Sequence, residues 1–124
     1  MLREEDFGFK ELIVWRKAVD FAKRVISIID KVNSDRTHYR IIEQTEAAAT
    51  SIAANIAEGK GRFSRKEFKQ FLYIARGSIY ETITFLNIMK ELNWLSEEEI
   101  DELEKEALVL NKMLNSLINK LKTE

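Results

Sequence analysis

No proline interrupts the 124 residues, and glycine occurs only at Gly8, Gly59, Gly61 and Gly77. These two residue types are the strongest punctuation in a chain, so their scarcity makes long helices the default. Apolar spacing then divides the sequence into four. The first helix is predicted over 10–32, with Leu12, Trp15, Val19, Ala22, Ile26 and Ile29 recurring at three and four residues. Asn33, Ser34 and Asp35 end it with turn chemistry. A second helix over 39–58 turns Ile41, Ile42, Thr45, Ala48, Ala49, Ile52 and Ile56 inward, and Gly59 is expected to close it in the left-handed conformation. Ser64 and Glu67 have the spacing of a capping box, opening a third helix over 64–92 with Phe68, Phe71, Leu72, Ala75, Ile79, Leu86 and Met89 as its stripe. Ser96 and Glu99 repeat that spacing before a fourth helix over 97–121, which carries Ile100, Leu103, Ala107, Leu110, Leu114, Leu117 and Leu121. Short connections between four such helices favour an all-α, antiparallel up-down-up-down bundle, read as one domain spanning 1–124.

Composition supports a packed core and excludes several functions. Hydrophobic residues are 45% of the chain and charged residues 33%, enough apolar material for one domain of this length. The absence of cysteine removes disulfides, thiol nucleophiles and thiolate metal sites, and fits a reducing cytoplasm. Arg3, Glu4, Glu5 and Asp6 are unlike a signal peptide, and the uncharged run from Ala47 to Ala57 falls short of the roughly 20 residues a bilayer span needs. A di-iron bundle requires two Glu-x-x-His pairs, whereas His38 is the sole histidine and sits in the first turn, where it reads as a surface side chain. No serine has the strand-turn-helix setting of a nucleophile elbow. The segment Glu58-Gly-Lys-Gly-Arg62 resembles phosphate loops only in its glycines: it follows a helix and lacks the Lys-Ser/Thr ending. The expected function is therefore non-enzymatic, with no cofactor and no metal.

Two features exceed what a lone bundle requires. Val14, Phe21 and Ile28 lie beside the main stripe of the first helix and widen its apolar arc to about 200°, against roughly 100° for a core-facing helix. Ile74, Phe85 and Ile88 widen the third in the same way. Val14, Phe21 and Ile28 are thus candidates for an oligomer interface, the alternative being that the N-terminal segment Asp6–Leu12 folds over them as a lid. Charge is also uneven despite a net value of −1. Between Gly59 and Arg76, six cations (Lys60, Arg62, Arg65, Lys66, Lys69 and Arg76) face only Glu67, whereas acids predominate from Lys90 onward. Such asymmetry orients partners or simply decorates solvated helices. Lys69, Tyr73, Arg76 and Tyr80 follow one edge of the third helix. Cations interleaved with aromatics suit phosphates and bases, and they suit a wet protein rim as well.

The stretch Ser51–Glu81, SIAANIAEGKGRFSRKEFKQFLYIARGSIYE, resembles the core signature of a bacterial four-helix-bundle family whose founding members are encoded in intervening sequences of 23S ribosomal RNA genes. Looser similarity covers FKELIVWRKAVDFAKRV and LNIMKELNWLSEEEIDEL. The chain is more distantly similar to the accessory protein of diversity-generating retroelements. This resemblance implies a left-handed bundle, assembly into a ring-like homopentamer, and association with RNA. One departure is visible: where the family usually has glutamine, an apolar residue and two arginines, this chain has Gln44, Thr45, Glu46 and Ala47, fewer positive charges for a polyanion. The signature residues Asn55, Glu58, Gly59, Gly61, Arg76, Gly77, Ser78 and Glu81 read mainly as structural. Gly77 is expected to let the third helix approach Ala47, Ala48 and Ala49 closely. Asn55 and Glu58 are expected to bond across the corner to backbone or to Arg62, and Arg76 and Glu81 to join similar networks.

The combined expectation is a cytoplasmic, self-assembling bundle acting as a scaffold or adaptor, with other copies of itself and RNA as partners and neither a membrane nor a small-molecule substrate. Its candidate RNA contacts are Lys60, Arg62, Arg65, Lys66, Lys69, Tyr73, Arg76 and Tyr80. The alternative is a purely structural protein–protein assembly module.

Overall fold

The computed structural model describes residues 8–32 and 39–123; the expected turn at Asn33–Asp35 and the surface placement of His38 lie outside the described residues. A short 3-10 helix, Gly8–Glu11, leads into four α-helices: α1 (Ile13–Asp30), α2 (Tyr39–Lys60), α3 (Arg65–Glu91) and α4 (Glu97–Thr123). The described residues contain no strand. Each helix packs against its two neighbours in the cycle α1–α2–α3–α4, making the four-helix bundle that the apolar spacing implies.

The antiparallel register is visible in individual contacts. Ser51 of α2 meets Ser78 of α3 at 2.8 Å between hydroxyl oxygens. Between α3 and α4, Arg76 donates to Asn115 Oδ1 at 2.7 Å and Asn87 donates to Glu104 at 2.7 Å. The same spacing is thus covered forward on α3 and backward on α4. Arg24 of α1 is clamped between Glu102 (3.1 Å) and Glu106 (3.2 Å) of α4. These half-exposed pairs fix orientation more than they add stability.

Stability comes from the apolar interior. Ile52 and Ile56 of α2, Leu72, Ile79, Leu86 and Met89 of α3, and Ile100, Leu103, Leu110 and Leu114 of α4 are buried as their spacing predicts. Each contributes on the order of 1.5–3 kcal/mol when fully removed from water. The polar side chains among them are satisfied locally. Thr45 donates to the Ile41 carbonyl and Thr82 to that of Ser78, both at 2.7 Å, which removes the penalty for burying a hydroxyl.

The first helix corrects the expectation of an exposed surplus face. Val14 and Phe21 are only 5% and 2% exposed and form part of the core with Ala18, Val25 and Ile29, while Ile28 is half-buried against it. Trp15, Val19 and Ile26 instead occupy the half-buried flank. Val14 and Phe21 therefore cannot supply an oligomer contact from the folded protomer. The physical reason is that α1 rolls so that small Ala18 and Ala22 face inward beside Phe21, letting neighbouring helices close on the ring. The lid alternative is partly realised on the other flank, where Phe9 meets Trp15 edge-on with ring centroids 5.0 Å apart. On α3 the surplus is real: Ile74 and Ile88 point outward.

Candidate nucleic-acid interface

The corner between α2 and α3 begins with a steric fit. No glycine has positive φ, so Gly59 remains helical and α2 continues to Lys60 instead of closing in a left-handed turn. A Cβ on Gly59 would lie 2.7 Å from Phe71 Cβ and 3.3 Å from the Phe68 carbonyl oxygen. The glycine is required because α3 crosses directly against it. Gly61 is less constrained, with its nearest neighbour, the Glu58 carbonyl, at 3.5 Å. Ser64 then caps α3, its hydroxyl accepting from the Glu67 amide at 3.1 Å and donating to the Glu67 carboxylate at 3.2 Å.

Cations leave this corner in two groups. Lys60 and Arg62 turn back on the protein: Lys60 Nζ lies 6.0 Å from the Phe68 ring centre, and the Arg62 guanidinium 4.7 Å from that of Phe71. Arg62 also pairs with Glu58 at 2.7 Å, the contact anticipated for Glu58. It is therefore chiefly a clip across the corner. Arg65 and Lys66 are exposed in the first turn of α3. That is the positive end of the helix dipole, where cations are disfavoured.

Farther along α3, Lys69, Tyr73, Arg76 and Tyr80 share the edge facing α4. Arg76 bonds Asn115 and stacks 4.9 Å from the Tyr73 ring centre, so it positions the edge more than it offers charge to solvent. Tyr73 is 38% and Tyr80 58% exposed. The α3–α4 register adds cations that sequence reading missed. Lys69 lies two turns before Arg76 and Lys122 two turns after Asn115, which brings the last turn of α4, with Lys120 and Lys122, beside Lys69. A lysine-rich final turn was visible in the sequence. Its proximity to the corner needed the antiparallel register.

One end of the bundle thus collects Lys60, Arg65, Lys66, Lys69, Lys120 and Lys122, while Glu97, Glu98, Glu99, Asp101 and Glu102 open α4 at the other end. Opposed charge along the axis produces a directional field with its positive pole at the α2–α3 corner.

The signature residues mostly build the seam beneath that corner. Asn55 donates to the Ser51 carbonyl and hydroxyl at 2.8 and 2.9 Å, within its own helix and not across the corner. Ser51 continues the chain to buried Ser78. Gly77 departs from expectation: it is exposed, and a Cβ there would have no neighbour within 4 Å. Close packing inside the protomer therefore does not explain it. Glu81, one turn on, is exposed and shares that outer face with Ile74.

Among the described residues, no cluster of three or more histidine, cysteine, aspartate or glutamate side chains could hold a metal ion, and no helix is long and apolar enough to cross a membrane.

The family model described as 23S rRNA-intervening sequence protein matches residues 10–116. A solved structure of a protein with unknown function from the S23 ribosomal protein family of Bacteroides thetaiotaomicron superposes with a TM-score of 0.79, at 26% identity over 86% of this chain and 98% of that one. No curated protein matches.

Proposed function

Because the chain belongs to the 23S rRNA-intervening sequence protein family, we propose that it is a non-catalytic, self-assembling scaffold that holds RNA at the basic end of its bundle. The observation that carries this reading is the convergence of α2–α3 corner cations with the last turn of α4. Three separate helix ends supply positive charge to one surface, and two of those cations, Arg65 and Lys66, stand against the dipole of their own helix. A polyanion compensates such crowding, and releasing its counterions supplies the binding free energy.

Assembly is supported by the outer face of α3. Gly77 sits in a helix interior where glycine costs about 1 kcal/mol relative to alanine, with open space above it and Ile74 and Ile88 exposed on either side. A second copy lying on that face would use both the gap and the apolar flanks. Family resemblance makes a closed pentamer the expected count. In a ring whose axis runs along the bundles, every basic end lies on the same face, multiplying the contacts available to one RNA.

The test is binding of a labelled mixed-sequence RNA at 50 and 200 mM salt. With about four phosphate contacts per bound strand, affinity should fall about 50-fold across that range. Failure to retain RNA at the lower salt, or equal retention at both, overturns the RNA reading. Sedimentation should give a mass several times 14.5 kDa, and a monomer at micromolar concentration overturns assembly.

A further inference from the structure

Phe63 is the most exposed large apolar side chain among the described residues, at 103% of its reference area, and it sits on the short turn between α2 and α3. Its neighbours in sequence are Arg62, Arg65 and Lys66. The other two phenylalanines of the corner are treated differently: Phe68 has Lys60 over its ring and Phe71 has Arg62, and both are half-buried. Phe63 alone presents an open ring. Fold stability gives no reason for this, since an exposed ring forgoes the transfer free energy that burial would supply.

We infer that Phe63 is a stacking platform for an unpaired base, which makes single-stranded RNA, and not duplex, the substrate of the basic end. This rests on the RNA reading above and adds its structural class. A flat apolar ring set among cations matches a ligand that alternates flat bases with phosphates. A duplex hides its base faces and offers only backbone and groove edges, for which a phenyl ring at the tip has no use. The remaining aromatics continue in the same sense. Tyr73 follows Lys66 and Lys69 along the α3 edge, and Tyr80 lies one turn past Arg76. From Ser64 to Tyr80 the helix rises about 24 Å, which spans about seven stacked nucleotides at 3.4 Å each. This linear track running from the tip up the side of the bundle suits a strand. A membrane surface, being planar, would meet the tip without reaching Tyr80.

The experiment compares wild type, Phe63→Leu and Phe63→Trp, all as full chains, against a labelled 12-nucleotide single-stranded RNA and a 12-base-pair RNA duplex. Phe63 is fully exposed, so melting temperatures should coincide and folding is not in question. Phe63→Leu, which keeps apolar bulk and removes the ring, should weaken single-strand binding roughly tenfold with an unchanged salt slope and unchanged duplex binding. Phe63→Trp should bind the single strand at least as well as wild type. Equal single-strand affinity in wild type and Phe63→Leu, with steep salt dependence retained, overturns the inference alone. Loss of all RNA binding in wild type overturns the inference together with the RNA reading. A reduced sedimentation mass for Phe63→Leu, or selective loss of binding to phosphatidylserine vesicles, would assign the ring to a protein contact or a lipid surface and overturn it as well.

Discussion

The corner between α2 and α3 and the corner between α3 and α4 do the same mechanical job with different residues. Both reverse the chain within a few residues and both cap the next helix with Ser-x-x-Glu, through Ser64 and Glu67 in one and Ser96 and Glu99 in the other. At the α3–α4 corner the backbone bonds and the acids serve the turn and the helix that follows it. Asn93 takes the left-handed conformation at φ 64°, Trp94 N–H reaches the Met89 carbonyl at 2.9 Å, and Asn93 N–H reaches that of Lys90 at 2.9 Å, the paired bonds of a Schellman ending. Leu95 is buried, and Glu97, Glu98 and Glu99 lie where the α4 dipole favours acids. The α2–α3 corner needs only Gly59, Ser64 and the Glu58–Arg62 pair to turn. Lys66 and Phe63 remain, Lys66 placed where the α3 dipole disfavours a cation and Phe63 fully exposed on the turn. Charge and an open ring that the turn itself does not use are what the proposed RNA-binding function accounts for at this corner.

The comparison can be broken first at the glycines. Gly59→Ala forces a Cβ to within 2.7 Å of Phe71 Cβ, and overpacking of this kind should cost about 1–3 kcal/mol in urea unfolding. Gly61→Ala, whose Cβ would meet only ordinary contacts, should be neutral or stabilising by about 0.4–1 kcal/mol. Equal effects at the two sites would remove the distinction between a glycine needed for close approach and one that merely connects. A smaller effect is expected at the other corner. Asn93→Ala should lose about 1 kcal/mol because alanine resists the left-handed conformation, whereas Asn93→Gly should lose nothing. If both variants melted with wild type, the left-handed turn would not be what ends α3.

Much of this was legible in the sequence, and the exceptions have physical causes. The spacing of Leu72, Ile79, Leu86 and Met89, and of Ile100, Leu103, Leu110 and Leu114, gave the inward faces of α3 and α4 directly, because those helices carry one dominant apolar stripe. On α1 two stripes are apolar, and periodicity cannot choose between Trp15–Val19–Ile26 and Val14–Phe21–Val25; the small residues Ala18 and Ala22 decide by letting other helices close over Phe21. Gly59 was readable as a special position but not as a steric one, since only the placement of Phe68 and Phe71 shows what a Cβ would strike. The candidate site was half visible. Local sequence marked Lys60 to Lys69 and offered Arg62 as a partner for Glu58, but it could not show that Arg76 is committed to Asn115, nor that Lys122 comes beside Lys69. Those relations join residues far apart in the chain.

The most direct test of the central claim sets the two charged ends against each other. RNA affinity is measured as a function of salt for wild type, for a variant with Lys66, Lys69 and Lys122 changed to Gln, and for one with Glu97, Glu98 and Glu99 changed to Gln. The account predicts that the lysine variant binds more weakly, with its log–log salt slope reduced by about two units, while the glutamate variant keeps the wild-type slope. Indistinguishable slopes for wild type and the lysine variant would contradict it.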